Sequence, residues 1–139
     1  MAGYSYNYTR YTKTDTTAGS YKTGERLVGA PSHTFNGTAF YTFSLAGIKG
    51  LRLGASVFYI GERYSGWNNT KNQAQKFNRL ISVDGYTTVD ISVGYTMKHF
   101  NVMAKLANIG NSLSYNVHEN YSVNPIAPRM FSTTLAYKF

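Results

Sequence analysis

Histidine and acidic side chains are considered first, because they supply metal ligands and groups that transfer protons. The sequence has three histidines, His33, His99 and His118. His118 is followed by Glu119, but this spacing forms no known ligand pattern and the other two histidines lie in distant segments. We therefore expect no metal site, and we expect His99 to be a polar residue in a turn.

The six carboxylates are dispersed along the chain. Asp90 lies on the polar side of an alternating segment, and Glu62 precedes Arg63 at the end of another. Hydrolysis by paired carboxylates needs a pocket that fixes their separation, and no such arrangement is visible. Nucleophile elbow, phosphate loop and catalytic triad are also missing from the sequence. We predict no catalytic residues, no enzyme and no cofactor; the carboxylates are expected to form hydrogen bonds and ion pairs.

Segment 64–70 combines an aromatic side chain with amides and a neighbouring cation. It contains Trp67, the only tryptophan, close to Tyr64 and Arg63. A ring and a guanidinium can hold an aromatic, anionic ligand by stacking and cation–π attraction. The alternative, which we favour for Trp67, is an anchor at a membrane surface, where Trp and Tyr are enriched. Weaker candidates for ligand contact are Arg79, Tyr115, Tyr121 and Arg129.

Composition limits the class of protein. Aromatic residues make up 16% of the 139 residues and charged residues only 14%, whereas soluble domains are about one quarter charged. The chain is therefore expected to fold, with something other than charge covering part of its surface. The absence of cysteine excludes disulfides and thiolate metal sites.

The net charge of +8 would also fit a nucleic-acid binder. The basic residues do not form a stripe, however, and fall mostly in turns or near strand ends: Arg10, Lys13, Lys22, Arg26, Lys49, Arg63, Lys71, Lys76, Arg79 and Lys98. This distribution is typical of a protein whose charges stay out of a hydrocarbon band. We expect no nucleic-acid partner.

The dominant sequence period is two, which is typical of strands with one apolar and one polar face. Alternating runs occupy six parts of the chain, around residues 2–8, 34–45, 51–59, 88–97, 100–107 and 131–139. The sequence thus predicts about six strands and no helix. The apolar rows include Leu53, Val57, Ile91, Val93, Val102, Leu106 and Leu135.

The connections between these runs alternate between short and long. Residues 46–50 and the turn at Lys98 and His99 are short, while 14–31, 65–83 and 110–127 are long. Bacterial up-and-down membrane barrels show this asymmetry, with short periplasmic turns and long extracellular loops. A wet barrel lumen also tolerates Arg52, Asp90 and Lys105 on the polar face. The alternative is a soluble barrel or sandwich whose polar face meets water.

A membrane-spanning helix needs about 18 apolar residues in a row, and the longest uninterrupted run is 57–60. No signal peptide follows Met1, because a basic start and an apolar core are lacking. An outer-membrane protein needs such a signal, so we expect the natural N-terminus to lie upstream.

The last strand, PRMFSTTLAYKF at 128–139, ends on an aromatic residue. It resembles the C-terminal signature that the assembly machinery of bacterial outer-membrane barrels recognises as an unpaired edge strand. The residues that match this assembly signal are Phe131, Leu135, Tyr137 and Phe139. Phe139 is expected at the periplasmic interface, where aromatic girdles lie.

Longer stretches resemble the closing strands of TonB-dependent siderophore receptors. LGASVFYIGERY at 53–64 is similar to the family pattern G-x-x-Y-x-G-x-R-Y, and VDGYTTVD at 83–90 to pGYttvD. NVMAKLANIGN at 101–111 is similar to l-x-v-N-N-L-f-D, and APSHTFN at 30–36 to P-x-H-t-f-n. Order and spacing match through nearly the whole chain. Asn111 departs from the pattern, because the family often has Asp there.

The resemblance implies an all-β, antiparallel up-and-down meander within a transmembrane barrel of 22 strands. Residues 1–139 are expected to be a C-terminal segment of that barrel, without the plug domain. The implied function is uptake of ferric siderophores across the outer membrane of a Gram-negative bacterium, with energy from TonB. Expected partners are outer-membrane lipid, the ferric siderophore, TonB through the missing plug, and the barrel assembly machinery.

Two other functions remain open from the sequence. One is a small self-contained or oligomeric outer-membrane barrel with a structural or adhesive role, which needs about eight strands or closure by several copies. The other is a basic, aromatic single-strand nucleic-acid binder. The isolated segment is expected to expose two unpaired edges, at 2–11 and 129–139. We expect it to be a curved antiparallel meander that pairs edge to edge with other copies or stays inside its parent barrel.

Overall fold

The computed structural model describes residues 1–14, 22–45, 48–67, 80–118 and 122–139. All elements in these ranges are strands. Six strands form the main sheet: β1 (Ala2–Tyr6), β2 (His33–Leu45), β3 (Ile48–Ile60), β6 (Tyr86–Thr96), β7 (Phe100–Ala107) and β10 (Met130–Tyr137). Two hairpins complete the described fold: β4 (Arg63–Trp67) with β5 (Leu80–Val83), and β8 (Tyr115–His118) with β9 (Ser122–Pro125). No described helix is long and apolar enough to cross a membrane.

The main sheet is an antiparallel meander in the order β1-β2-β3-β6-β7-β10. The predicted six-stranded up-and-down meander is therefore confirmed. Strands β1 and β10 are its two edges, as expected, although β1 ends at Tyr6 and is shorter than predicted. One further backbone bond, from Asn7 N to Ser32 O at 2.8 Å, extends the pairing of β1 with β2.

The registers place apolar residues opposite apolar residues across all inner strands. One row crosses the sheet through Ala39, Ala55, Ile91, Leu106 and Phe131. Side chains directly opposite each other share a face of the sheet, so this row and its neighbours define one apolar face. The polar face carries Thr34, Asn36, Thr38, Arg52, Ser56, Thr88, Asp90, Ser92, Asn101, Lys105, Ser132 and Thr134.

The pairing of β2 with β3 is irregular near the first short turn. A register irregularity lies between Thr42 and Ser44, after which Ser44 pairs with Lys49. Two residues of β3, Gly50 and Leu51, therefore face the single residue Phe43 of β2, which is the arrangement of a β-bulge. The ring centres of Tyr41 and Phe43 are 4.8 Å apart, so the alternating row of β2 continues to Phe43.

The sheet has no covering layer among the described residues. No hydrophobic side chain in these ranges is fully buried, and many large ones are exposed, including Leu53, Ile91, Val93, Phe131 and Leu135. A soluble sandwich packs a second layer against its apolar face. The main sheet is instead a single layer whose apolar face is open among the described residues.

A glycine on the polar face allows a large side chain to lie across the sheet. A Cβ atom added to Gly54 would lie 2.6 Å from Cδ1 of Phe40 and 2.5 Å from Oγ of Ser92. The Phe40 ring therefore occupies the space above Gly54, and the Arg52 guanidinium carbon lies 4.1 Å from the centre of that ring. This stacked pair is exposed on the polar face.

The long connections contain the two hairpins, which the sequence analysis treated as loops. β4 and β5 pair from Arg63 with Val83 to Trp67 with Leu80, with an irregularity between Tyr64 and Gly66. β8 and β9 pair in only four positions, from Tyr115 with Pro125 to His118 with Ser122. Such short strands contain too few residues for a recognisable period-two pattern.

Candidate functional site

We call the end of the sheet from which the connections 14–31, 65–83 and 110–127 leave the long-connection end. Several buried polar side chains form hydrogen bonds there, and Arg63 is at the centre of this network. Arg63 is only 7% exposed. Its Nη1 donates to Asp84 O at 3.4 Å, and its Nη2 donates to Tyr115 O. Its guanidinium carbon also lies 5.5 Å from the centre of the Tyr86 ring. Arg63 thereby links β4, the start of β6 and the β8–β9 hairpin.

Asp90 and Lys105 form a second link on the polar face. Lys105 Nζ lies 2.7 Å from Asp90 Oδ2, and the backbone N–H of Asn108 donates to Asp90 Oδ1 at 2.9 Å. The expectation that Asp90 forms ion pairs and hydrogen bonds is confirmed. Through these two contacts, Asp90 of β6 holds the end of β7 in place.

Asn108 is the most buried polar residue of this network, with 4% exposure. Its Nδ2 donates to Ser112 O and Ala127 O, each at 3.0 Å, and its Oδ1 accepts from Ser112 N at 2.9 Å. Its φ of 49° lies in the left-handed region, which asparagine tolerates better than most residues. The side chain thus holds both ends of the connection that contains β8 and β9.

Asn111, the position where the sequence departs from the family pattern, also has a local role. Its φ is 49°, and its Oδ1 accepts from Arg129 N at 3.0 Å. A carboxylate oxygen could accept the same bond. The departure therefore leaves this connection between the turn and the start of β10 intact.

A cavity of about 310 Å³ lies where the β8–β9 connection faces the polar side of β6 and β7. Its lining combines Tyr86, Thr88 and Asp90 with Asn116 and Ile126, among others. Pockets of about 300–1,000 Å³ with a few polar groups are typical of small-molecule sites. Sequence reasoning missed this cavity, although the motif at 83–90 supplies three of its lining residues.

A larger depression of about 670 Å³ lies around the Ala39–Ala55–Ile91–Leu106–Phe131 row. Its lining is almost wholly apolar. It offers few polar groups to orient a ligand, which specific small-molecule sites require. We regard it as part of the apolar face.

The predicted ligand-contact residues are only partly brought together. Arg63 and Tyr115 are in direct contact, and Tyr64 follows Arg63 in β4 with a half-buried side chain. Trp67 ends β4, opposite Leu80, and is also half-buried. Arg79 and Tyr121 lie outside the described residues. Ligand contact by any of the six stays a prediction.

The predicted assembly signal lies on the free edge strand. Phe131 and Leu135 are 68% and 66% exposed on the apolar face. We call the end of the sheet that carries the turn at Lys98 and His99 the short-turn end. There, the Tyr137 ring centre is 4.8 Å from that of Phe100 and 5.0 Å from that of Phe139. These rings form an aromatic cluster at the end of β10. Recognition by assembly machinery stays a prediction.

Metal ligands do not cluster in the described ranges: no group of three or more His, Cys, Asp or Glu residues occurs there. His33 instead accepts or donates one hydrogen bond with the Tyr4 hydroxyl at 2.8 Å, and its ring lies 5.0 Å from that of Tyr6. His99 lies in the predicted short turn, with Nδ1 3.3 Å from Lys138 O.

The sequence model of the family described as "TonB dependent receptor-like, beta-barrel" matches residues 1–117. The chain therefore belongs to the TonB-dependent receptor β-barrel family, as the motifs predicted. This family consists of transport receptors rather than enzymes. A search of curated protein sequences finds no match.

Solved structures agree on the fold. BauA, the ferric preacinetobactin receptor of Acinetobacter baumannii, is 19% identical with a TM-score of 0.69, over 94% of this chain and 18% of BauA. The ferric-catecholate import receptor Fiu of E. coli K12, in its closed form, is 19% identical with a TM-score of 0.62, over 86% and 17%. FpvA of P. aeruginosa, bound to a heterologous pyoverdine, is 20% identical with a TM-score of 0.63, over 83% and 15%. The chain spans less than a fifth of each receptor.

Proposed function

We propose that the chain is a wall segment of an outer-membrane receptor that takes up ferric siderophores with energy supplied by TonB. The observation that carries this proposal is the open six-stranded meander, which is similar in fold to part of three receptors for ferric siderophores. The role is transport rather than catalysis.

The two faces of the sheet support a location in the outer membrane of a Gram-negative bacterium. An exposed apolar face next to lipid and a polar face next to a wet lumen are typical of membrane barrels. Strands β2, β3 and β6 have 13, 13 and 11 residues, enough for the roughly 9–11 that a membrane-crossing strand needs. Outer-membrane lipid is accordingly one proposed partner.

The proposal includes the domain organisation that the sequence predicts. Residues 1–139 form the C-terminal part of a parent barrel of about 22 strands. TonB acts through a plug domain supplied by another part of the receptor. The described edges support this organisation, because both β1 and β10 have an unpaired side. In the parent barrel, neighbouring strands satisfy these backbone groups, which are costly to leave unpaired in hydrocarbon.

Ligand contact is proposed for the long-connection end, which faces the cell exterior. Tyr64, Trp67 and Tyr115 present rings there, and Arg79 and Tyr121 are proposed from the sequence alone. Arg63 is better suited to hold the β8–β9 hairpin, because its guanidinium is buried against carbonyl oxygens. The cavity beneath that hairpin adds Tyr86 and Asn116 to the proposed contacts.

The free edge of β10 supports a second partner, the barrel assembly machinery. Within the part of the chain that the structure describes, its backbone pairs with β7 on one side, and its other side is the edge of the sheet. An unpaired strand edge is a template for pairing with another chain. Phe131, Leu135, Tyr137 and Phe139 supply the apolar and aromatic side chains that accompany this edge.

An uptake assay tests the proposed function. The full-length protein that contains this chain is expressed in a Gram-negative host lacking its own siderophore receptors, and radioactive iron is offered as catecholate, hydroxamate and mixed ferric siderophores. Uptake of at least one chelate is expected, and the same cells without TonB should show none. Uptake that is equally strong without TonB, or absent for every chelate despite folded receptor in the membrane, contradicts the proposal.

A further inference from the structure

Two arginines meet two tyrosines where the first and second strands leave the sheet. The Arg10 guanidinium carbon lies 4.7 Å from the centre of the Tyr8 ring. That of Arg26 lies 5.7 Å from the Tyr8 ring and 5.8 Å from the Tyr64 ring. Three of the described cation–π contacts therefore converge on one place. We call Tyr8, Arg10, Arg26 and Tyr64 the basic cluster.

Backbone hydrogen bonds hold the basic cluster together. Tyr11 N donates to Glu25 O at 2.9 Å, and Gly24 N donates to Tyr11 O at 2.8 Å. Gly29 N donates to Tyr64 O at 2.7 Å. The segment that contains Arg26 is thus tied both to the extension of β1 and to β4. The two guanidinium groups are held in proximity by the fold.

Neither arginine of the basic cluster forms an ion pair among the described residues. The ion pair found there, between Lys105 and Asp90, involves neither Arg10 nor Arg26. Arg26 donates to Ser32 Oγ at 2.6 Å, which uses one of the five donors of a guanidinium. Arg10 is exposed and Tyr8 is 56% exposed. Arg26 is half-buried, and its Nε is buried without a hydrogen-bond partner. The cluster therefore presents positive charge to its surroundings mainly through the exposed guanidinium of Arg10.

The position of the basic cluster relative to the sheet indicates which environment its arginines face. Tyr4 and Tyr6 lie on the apolar face with His33, as their register shows. Pairing continues through Asn7, so Tyr8 extends this row toward the long-connection end. Along residues 4–10 the alternating tyrosines of this face are followed by Arg10. Membrane proteins show this order at the boundary between hydrocarbon and headgroups.

We propose that Arg10 and Arg26 bind the phosphate group of an anionic lipid in the outer leaflet, with Tyr8 and Tyr64 holding the guanidinium groups in place. Arginine suits this ligand, because its planar donors match phosphate oxygens in pairs. The long connections lie on the extracellular side of a barrel, which assigns the site to the outer leaflet. The inference rests on the proposed membrane location.

Native mass spectrometry of the full-length protein in uncharged detergent tests this site with phosphatidic acid as the probe. Phosphatidic acid should bind more tightly than phosphatidylcholine. The double variant Arg10→Gln, Arg26→Gln should lower its affinity about twenty-fivefold, from about fivefold for each arginine. Arg10→Lys with Arg26→Lys should retain part of the affinity, because the charges remain. Arg52→Gln is the matched control, since Arg52 also stacks on an aromatic ring but on the polar face.

The following outcomes of this experiment would overturn the inference. Equal affinity of the wild type and the folded double variant, or equal binding of phosphatidic acid and phosphatidylcholine, shows that the basic cluster is not a phosphate site. Displacement of the lipid by equimolar inorganic phosphate shows a free-phosphate site, and displacement by a ferric siderophore shows a site for the transported ligand. A wild-type protein that stays folded and monomeric in water and retains no lipid removes the membrane location as well. Heat-modifiable migration in gels confirms that each variant is folded.

Discussion

Asn108 shows how a single side chain organises the long-connection end. It occupies a left-handed backbone conformation and makes three side-chain hydrogen bonds across its connection. A buried polar group that loses its partners costs more free energy than the bond itself contributes. These hydrogen bonds give a structural reason for the asparagine at position 108 in the family-like motif at 101–111.

Asn108→Ala should therefore destabilise the folded barrel. The substitution removes the partners of Ser112 N, Ser112 O and Ala127 O and places alanine at a positive φ. We expect the free energy of unfolding to fall by about 3 kcal/mol, measured by urea titration of the full-length protein in detergent micelles. Asn116→Ala is the control, because Asn116 is exposed. Equal unfolding midpoints for the two variants would contradict this assignment.

Arg63 illustrates a role that sequence reasoning could not find. From its neighbours alone, Arg63 was a candidate for ligand contact. Its partner Tyr115 O lies 52 residues away in sequence, in a hairpin too short to predict. Whether a cation faces solvent or carbonyl oxygens depends on such distant contacts.

At the scale of elements, β10 combines a strand edge with an aromatic end. β7 satisfies one side of its backbone, and the Tyr137 ring packs between Phe100 and Phe139. These aromatic contacts stabilise the short-turn end, which the proposed function assigns to the periplasmic interface. The sequence predicted both the strand and its terminal aromatic residue.

Deletion of Phe139 in the full-length protein should lower the amount of folded barrel in the outer membrane. The deletion removes the terminal ring beside Tyr137 and shortens the edge available for pairing during assembly. The measurement is the heat-modifiable fraction in membrane preparations. Lys138→Gln, which keeps chain length and all aromatic rings, is the matched control. Unchanged levels of folded barrel in the deletion variant would refute the role of Phe139.

Among the described residues, the main sheet is one open layer with β1 and β10 as its two edges and with an exposed apolar face. Open sheet edges pair readily with other chains, and an open sheet cannot cross a bilayer alone because its edge groups are unsatisfied. Six strands also close only into a barrel too narrow for these side chains. The segment therefore depends on neighbouring strands, either in a parent barrel or in other copies.

Expressed alone, residues 1–139 should associate through their edges in detergent. Light scattering should show dimers or larger species whose mass rises with concentration. Leu135→Lys should reduce this association, because charges on an edge strand oppose pairing. A wild-type segment that is a stable monomer in water, with its apolar face packed into a closed core, would contradict this expectation.

The sequence by itself determined the six main strands, their two faces and the short turn at Lys98 and His99, because side-chain alternation is a local property with a period of two. It also predicted the family through motifs placed within single strands. The tertiary structure alone decided the two short hairpins, the buried state of Arg63, the cavity beneath β8 and β9, and the basic cluster. Each of these depends on contacts between residues far apart in sequence, such as Arg26 with Tyr8 and Tyr64, and local pattern contains no information about which distant residues meet.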